Sequence, residues 1–107
     1  MEIPIKEKFL GCMYGLAIGD ALGYPVEFLD VDERKRLLGN EGITGFDSLK
    51  KIPTKHPIGF YSDDTQMSLA TANALIKSES ADFRETMDNI VQEYIKWADS
   101  PENDRAP

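Results

Sequence analysis

Residues 61–77, YSDDTQMSLATANALIK, decide the fold, because a doubled acid stands directly before a long, alanine-rich apolar segment. Ser, Thr and Asp favour the start of a helix, where their side chains cap free N–H groups. Asp63 followed by Gln66 three residues later matches a capping box. The segment beyond is apolar almost all round, which is typical of a buried helix. The sequence therefore predicts a long, buried helix that begins near Ser62 or Asp63 and ends at about Lys77.

Two more helical patterns precede this one. Residues 5–22 repeat apolar residues at three- and four-residue steps. Residues 31–38, VDERKRLL, have Asp30 as a candidate N-cap and a stop at Gly39. The glycines and prolines of residues 39–61 indicate a long irregular loop, and such loops are usually functional or mobile.

A last helix follows Asp82, with Glu85 at the third helical position. Together the four segments predict an all-α fold with three long helices, one short helix and a long loop. The predicted inward face of the last helix consists of Phe83, Met87, Ile90, Val91, Tyr94, Trp97 and Ala98.

The first helix carries four glycines, each four residues apart, at positions 11, 15, 19 and 23. An interior glycine costs about 1 kcal/mol relative to alanine. We therefore expect another helix or a ligand to approach the bare backbone closely along this stripe. The apolar faces of the first helix and of the helix after Ser62 are too large for the one remaining long helix and the loop to cover. This predicts a segment of a larger helical protein or an oligomer.

Composition narrows the class of protein. Apolar residues make up 41% of the chain and charged residues 29%, which is typical of a globular protein. The net charge of −7 argues against a nucleic-acid partner. No unbroken apolar run approaches the ~20 residues of a membrane span, so we expect no membrane role. The single cysteine, Cys12, permits no intrachain disulfide, fits a cytoplasmic protein and is expected to be packed.

Asp63 and Asp64 have two explanations that the residues alone leave open. Capping and the positive end of the helix dipole explain one carboxylate. A second, adjacent carboxylate adds repulsion, which a divalent cation would remove. Ser62 and Thr65 would add neutral oxygens of the kind that Mg²⁺ takes in its octahedral shell.

Three other polar residues lie near these motifs. Asp20 stands in a small, apolar stretch, LAIGDALG, and either faces solvent or backbone groups or supports a cation site. Glu27 lies in a turn after the first helix and is uninformative alone. His56, the only histidine, is expected to be an exposed loop residue rather than a catalytic one. The sequence has no glycine-rich nucleotide loop and no zinc or thiol motif.

Two of these stretches resemble one family. GCMYGLAIGDALGYPVEF, residues 11–28, followed by GFYSDDTQMSLATANAL, residues 59–75, is similar to the N-terminal portion of the ADP-ribosylglycohydrolase family, which includes the dinitrogenase reductase-activating glycohydrolases. The resemblance implies an all-α scaffold with two Mg²⁺ ions, with Mn²⁺ as an alternative. It implies a hydrolase that cleaves the glycosidic bond between ADP-ribose and a protein side chain or small molecule.

The resemblance also implies roles for individual residues. Glu27 would sit on a mobile flap near the metals and the ribose. The implied metal ligands are Ser62, Asp63 and Asp64; the catalytic residues are Glu27 and Asp64; the supporting residues are Asp20 and Thr65.

The sequence departs from the family in length. Family members are considerably longer, and their second half carries a Gly-Asp-Thr-Asp motif that this sequence lacks. We therefore expect residues 1–107 to be an N-terminal fragment of a single domain, with the C-terminal half absent, and to be inactive by itself. A catalytically dead relative that acts as a structural or binding protein is the alternative.

Overall fold

A computed structural model describes residues 4–105 of the chain. Within them the fold is all-α, without strands, as the sequence predicts. Three long helices, one short helix and the long loop are confirmed, and two 3₁₀ helices are added. The α-helices are α1 (Ile5–Gly23), α2 (Val31–Leu38), α3 (Asp63–Lys77) and α4 (Phe83–Ala98), and the 3₁₀ helices are Tyr24–Val26 and Phe46–Lys51.

The chain divides into two compact units. The first ends at Tyr61 and contains α1, α2 and both 3₁₀ helices. The second begins at Ser62 and contains α3 and α4.

The first unit is built around four buried side chains, Val26, Leu38, Leu49 and Ile52. They come from the first 3₁₀ helix, from the end of α2, and from the second 3₁₀ helix and the residue after it. Each short element therefore contributes one buried apolar residue to a shared core, against which the partly buried Leu22, Leu29, Leu37 and Ile43 also pack.

Helix α2 begins and ends at local signals. The Glu33 N–H donates to Asp30 Oδ1 at 2.8 Å, and the Glu33 carboxylate accepts from the Asp30 N–H at 3.4 Å. This capping box satisfies two N–H groups that a helix start leaves unpaired. At the other end Gly39 has φ +73°, a conformation that strains residues with a Cβ.

Helix α1 does not show the close approach that its glycine stripe predicts. Within residues 4–105, a Cβ added at position 11, 15, 19 or 23 would meet no atom within 4 Å. The expectation that Cys12 is packed is also wrong, because its side chain is exposed.

The stretch from Ile5 to Val26 is long and apolar enough to cross a membrane by length and composition. The sequence still has no unbroken apolar run of that length, because Lys6, Glu7, Lys8 and Asp20 interrupt the stretch. Core helices of soluble proteins and signal sequences satisfy the same criterion, so it assigns no membrane role.

The second unit is held together by polar contacts between α3 and α4. The Thr71 hydroxyl donates to the Met67 carbonyl at 3.0 Å and lies 2.7 Å from the Tyr94 hydroxyl. Because Thr71 has only one proton to donate, Tyr94 is the donor to Thr71. Three residues further along α3, Ala74 is fully buried.

The same face continues towards the end of α3. The Asn89 side chain donates to the Ser78 hydroxyl at 2.9 Å, and this hydroxyl donates to the Ala74 carbonyl at 2.7 Å. Glu93 is buried on α4 and accepts from Lys77 and, at 3.1 Å, from Lys96.

The predicted inward face of α4 is confirmed only in part. Ile90, Tyr94 and Trp97 are half-buried, whereas the structure contradicts the prediction for the other members. Phe83, Met87 and Val91 are exposed, with Phe83 at 81%. The helix is rotated so that its polar residues contact α3, and an apolar stripe points to solvent. Sequence periodicity located the stripe but could not show which face finds a partner.

The ion pair at the α3–α4 contact predicts a pH-dependent stability. Lys77, and then Lys96, hold the pKa of Glu93 below its ordinary 4.5. A carboxylate with a lowered folded-state pKa stabilises the fold above its unfolded-state pKa and loses that effect as the pH falls through the folded-state value. We expect Glu93→Gln to lower the melting temperature at pH 7 and to flatten its fall below pH 4.5.

Glu79→Gln, at an exposed position shortly after α3, is the control and should follow the wild-type curve. Parallel curves for wild type and Glu93→Gln would show that the pair does not stabilise the fold.

The open surroundings of the glycine stripe predict that alanine stabilises α1. Gly15→Ala should raise the free energy of unfolding in urea by about 1 kcal/mol, the difference in helix propensity. Gly39→Ala, at the positive-φ end of α2, should lower it instead. A destabilising Gly15→Ala would show that another element packs against this part of α1.

Candidate functional site

Ser62 is the N-cap of α3. Its hydroxyl accepts from the Asp64 N–H at 3.1 Å, and its side chain is almost completely buried, at 3% exposure. The predicted capping box of Asp63 and Gln66 is therefore wrong. The Gln66 side chain instead donates to the Glu102 carbonyl at 2.7 Å and accepts from the Trp97 indole at 2.9 Å.

The carboxylates of Asp63 and Asp64 do not cap α3, because Ser62 is its N-cap. Asp63 is half-buried and Asp64 is exposed, both in the first turn of α3. Among residues 4–105, neither carboxylate makes a hydrogen bond or ion pair. The positive end of the helix dipole stabilises negative charge here. Capping by aspartate, one of the two explanations of the doubled acid, is thus excluded by the structure, whereas the dipole remains favourable to both groups.

Neutral oxygens flank the carboxylates. The Thr65 side chain is buried at 6% exposure, and that of Ser62 lies at the same helix start. A serine hydroxyl has two acceptor lone pairs, of which the capping bond occupies one.

The donors fit a hard cation in kind but are few. Carboxylate and hydroxyl oxygens are ligands that Mg²⁺ takes, in an octahedral shell. Within the described part of the chain, no group of three or more acidic, histidine or cysteine side chains could hold a metal ion. The start of α3 therefore offers at most a partial shell, from Ser62, Asp63 and Asp64.

Asp20 and Glu27 belong to the first unit. Asp20 is half-buried in the last turn of α1, where its carbonyl accepts from the Tyr24 N–H. Glu27 is exposed at the end of the first 3₁₀ helix, and its N–H donates to the Tyr24 carbonyl at 3.3 Å. The Glu27 carboxylate is thus accessible on a short turn.

His56 is exposed, as expected, but its ring has partners that the sequence analysis missed. It lies 4.5 Å from the Phe60 ring and 5.6 Å from the Tyr24 ring, between centroids. The available signal was the spacing of His56 and Phe60 around a Pro-x-Gly turn.

Comparisons with known proteins agree on one family. The family model described as ADP-ribosylglycohydrolase matches residues 1–107. The chain is 34% identical over 97 residues to the ADP-ribosyl-[dinitrogen reductase] glycohydrolase of Rhodospirillum rubrum. It is 33% identical over 93 residues to the ADP-ribosylarginine hydrolase Tri1 of Serratia proteamaculans. An uncharacterized protein of Archaeoglobus fulgidus is 30% identical over 96 residues.

These matches cover most of this chain and a minor part of each relative. They span 90%, 87% and 87% of the chain but only 30%, 23% and 28% of the Rhodospirillum, Serratia and Archaeoglobus proteins. No solved structure matches the chain.

The capping bond predicts a specific loss of stability. Ser62→Ala should lower the free energy of unfolding by about 1 kcal/mol, the usual effect of losing a helix cap. Ser62→Thr should retain most of the cap, because its hydroxyl also accepts from the helix N–H groups. Ser68→Ala, inside the same helix, is the control and should be neutral or stabilising. Equal losses at 62 and 68, measured in urea, would contradict the capping role.

Proposed function

The chain belongs to the ADP-ribosylglycohydrolase family, and from this premise we propose that it supplies part of a Mg²⁺-dependent hydrolase. The proposed enzyme cleaves the glycosidic bond that joins ADP-ribose to a protein side chain or small molecule. The single observation that carries the proposal is the family match across residues 1–107. The names of two relatives, an ADP-ribosyl-[dinitrogen reductase] glycohydrolase and an ADP-ribosylarginine hydrolase, support ADP-ribosylated protein as the substrate class.

The start of α3 is the proposed metal-binding segment. The carboxylates of Asp63 and Asp64 make no hydrogen bond or ion pair within residues 4–105, and the cap they would otherwise form is made by the Ser62 hydroxyl. We propose these three residues as ligands of two Mg²⁺ ions, with Mn²⁺ as an alternative. Thr65 supports them from the same helix turn, and Asp20 is the proposed supporting residue of the first unit.

The proposed reaction is the addition of water to the anomeric carbon of the ribose. The oxygen of water bonds to that carbon, the bond to the acceptor nitrogen or oxygen breaks, and a proton passes from water to the leaving group. When bound, Mg²⁺ would supply Lewis acidity for the ribose hydroxyls and the water. A carboxylate near the reacting carbon can accept the proton and stabilises oxocarbenium-like charge.

Glu27 and Asp64 are the proposed catalytic carboxylates. Both side chains are exposed, so both are accessible to substrate. Each is held at a short, hydrogen-bonded backbone feature: the 3₁₀ turn for Glu27 and the first turn of α3 for Asp64.

The 107-residue chain itself is proposed to be inactive. It spans 30% or less of the length of its curated relatives, and its described part lacks a cluster of three metal-ligating groups. Three donors leave half an octahedron to water, and Mg²⁺ gives up its own water reluctantly. The proposed compartment is the cytoplasm, since one exposed cysteine can form no intrachain disulfide.

The lack of such a cluster also favours a second candidate, a catalytically dead relative that serves as a structural or binding protein. The two candidates differ in one outcome. The polypeptide of the intact reading frame that contains residues 1–107, hereafter the intact polypeptide, should release ADP-ribose if it is a hydrolase and should not if it is a dead relative.

Release of free ADP-ribose from an arginine-ADP-ribosylated protein tests the proposal directly. With Mg²⁺ present, the intact polypeptide should release it, and chelation should stop the reaction. Asp63→Asn with Asp64→Asn should lower kcat by about a hundredfold or more, the range expected for acid–base and metal groups.

Asp88→Asn removes an exposed acid from α4 and is the matched control, expected to retain activity. The 107-residue chain should show weak or no Mg²⁺ binding by calorimetry and no turnover. Absence of activity in the intact polypeptide would support the dead relative, and tight carboxylate-dependent Mg²⁺ binding by the short chain would refute its proposed inactivity.

A further inference from the structure

Three aromatic rings of the first unit form a cluster on separate segments. The rings of Tyr24, His56 and Phe60 have centroids 5.6, 4.5 and 6.4 Å apart, and their planes differ by only 6–23°. These separations lie within the range in which aromatic pairs attract one another. Tyr24 begins the first 3₁₀ helix, whereas His56 and Phe60 belong to the long loop. The cluster therefore connects two parts of the chain that lie 32 residues apart.

Local backbone contacts pre-form the loop side of this cluster. The His56 N–H donates to the Thr54 hydroxyl at 3.2 Å. The Phe60 N–H donates to the Pro57 carbonyl at 3.2 Å, which closes a turn with Gly59 at φ +89°. A residue with a Cβ is strained in this conformation, so glycine permits the turn that returns Phe60 to His56.

On the other side, the cluster reaches the turn that carries Glu27. The Tyr24 carbonyl accepts from the Glu27 N–H at 3.3 Å, and the Val26 carbonyl accepts from the Leu29 N–H at 3.1 Å. Tyr24 thus accepts a backbone hydrogen bond from Glu27, and its ring stacks on that of His56. The stacked rings restrict the side-chain torsions of Tyr24, and with them the motion of the residue whose carbonyl accepts from Glu27.

We infer that His56 is a positioning residue, which holds the Glu27 turn through the ring of Tyr24 and limits its motion. The inference rests on the proposed function for its catalytic consequence. His56 is exposed, so its ring adds little to the buried core of Val26, Leu38, Leu49 and Ile52. Its removal should therefore loosen the Glu27 turn without unfolding the first unit.

Amide hydrogen exchange of the 107-residue chain tests whether His56 restricts the motion of the Glu27 turn. His56→Ala should accelerate exchange at the Glu27 and Leu29 amides roughly threefold to tenfold, the range for loss of an aromatic pair. The Gly39 amide at the end of α2 should not change. His56→Phe keeps a flat ring and should restore the wild-type rates. Lys55→Ala, at the exposed neighbouring position, is the control.

Kinetics of the intact polypeptide test whether this restriction of the Glu27 turn affects catalysis. His56→Ala should lower kcat about tenfold, because small displacements of a catalytic group are costly. KM and the Mg²⁺ requirement should change less than twofold, and His56→Phe should recover most of the kcat. A purely structural role would lower the amount of folded enzyme and leave kcat per folded molecule unchanged.

The two measurements separate the possible failures. Unchanged exchange at Glu27 in His56→Ala overturns the positioning role, whatever the kinetics. Faster exchange with an unchanged kcat overturns its catalytic consequence. If the wild-type polypeptide releases no ADP-ribose, the proposed function fails, while the exchange rates still decide whether His56 holds the turn.

Discussion

The hydrogen bond from the Asp64 N–H to the Ser62 hydroxyl is the constraint on which the second unit depends. It fixes where α3 begins, while side-chain pairs with α4 select the face of α3 that packs. From that start Gln66, Thr71 and Lys77 point towards their partners on and beyond α4. Because a neutral hydroxyl makes the cap, the adjacent carboxylates are not needed for it. One bond thereby serves both the fold and the candidate site.

Features of the fold that depend on local chemistry were predictable from the sequence. The bounds of α2 were predicted correctly, because Asp30 and Gly39 act on their own backbone neighbours. The start of α3 was predicted within one residue, although the wrong side chain was assigned the cap. Packing faces were not predictable in this way. Periodicity shows that α4 is amphipathic, but the face that contacts α3 is selected by side-chain pairs such as Lys77 and Glu93, which are distant in sequence.

In the candidate site, too, local features were predictable from the sequence and tertiary features were not. A short motif marks Ser62, Asp63 and Asp64 as candidate ligands, since the residues are consecutive and their types match hard-cation chemistry. A complete ligand shell is a property of the tertiary fold, and the described residues contain no cluster of three metal-ligating side chains. The ring cluster of His56 was missed because its third member, Tyr24, comes from a distant segment. The sequence around His56 correctly predicts an exposed side chain, but it does not show that the ring stacks with those of Tyr24 and Phe60.

The outward stripe of α4 has a practical consequence for handling the protein. Phe83, Met87, Val91 and Ile95 recur every fourth residue and are all exposed. An apolar stripe of this kind in water attracts other apolar surfaces. Colloidal behaviour should therefore depend on concentration and on salts that strengthen apolar contacts, such as sulfate. Light scattering at several concentrations would show whether the average mass of the particles rises with concentration. Dilute samples would then report the properties of the single chain.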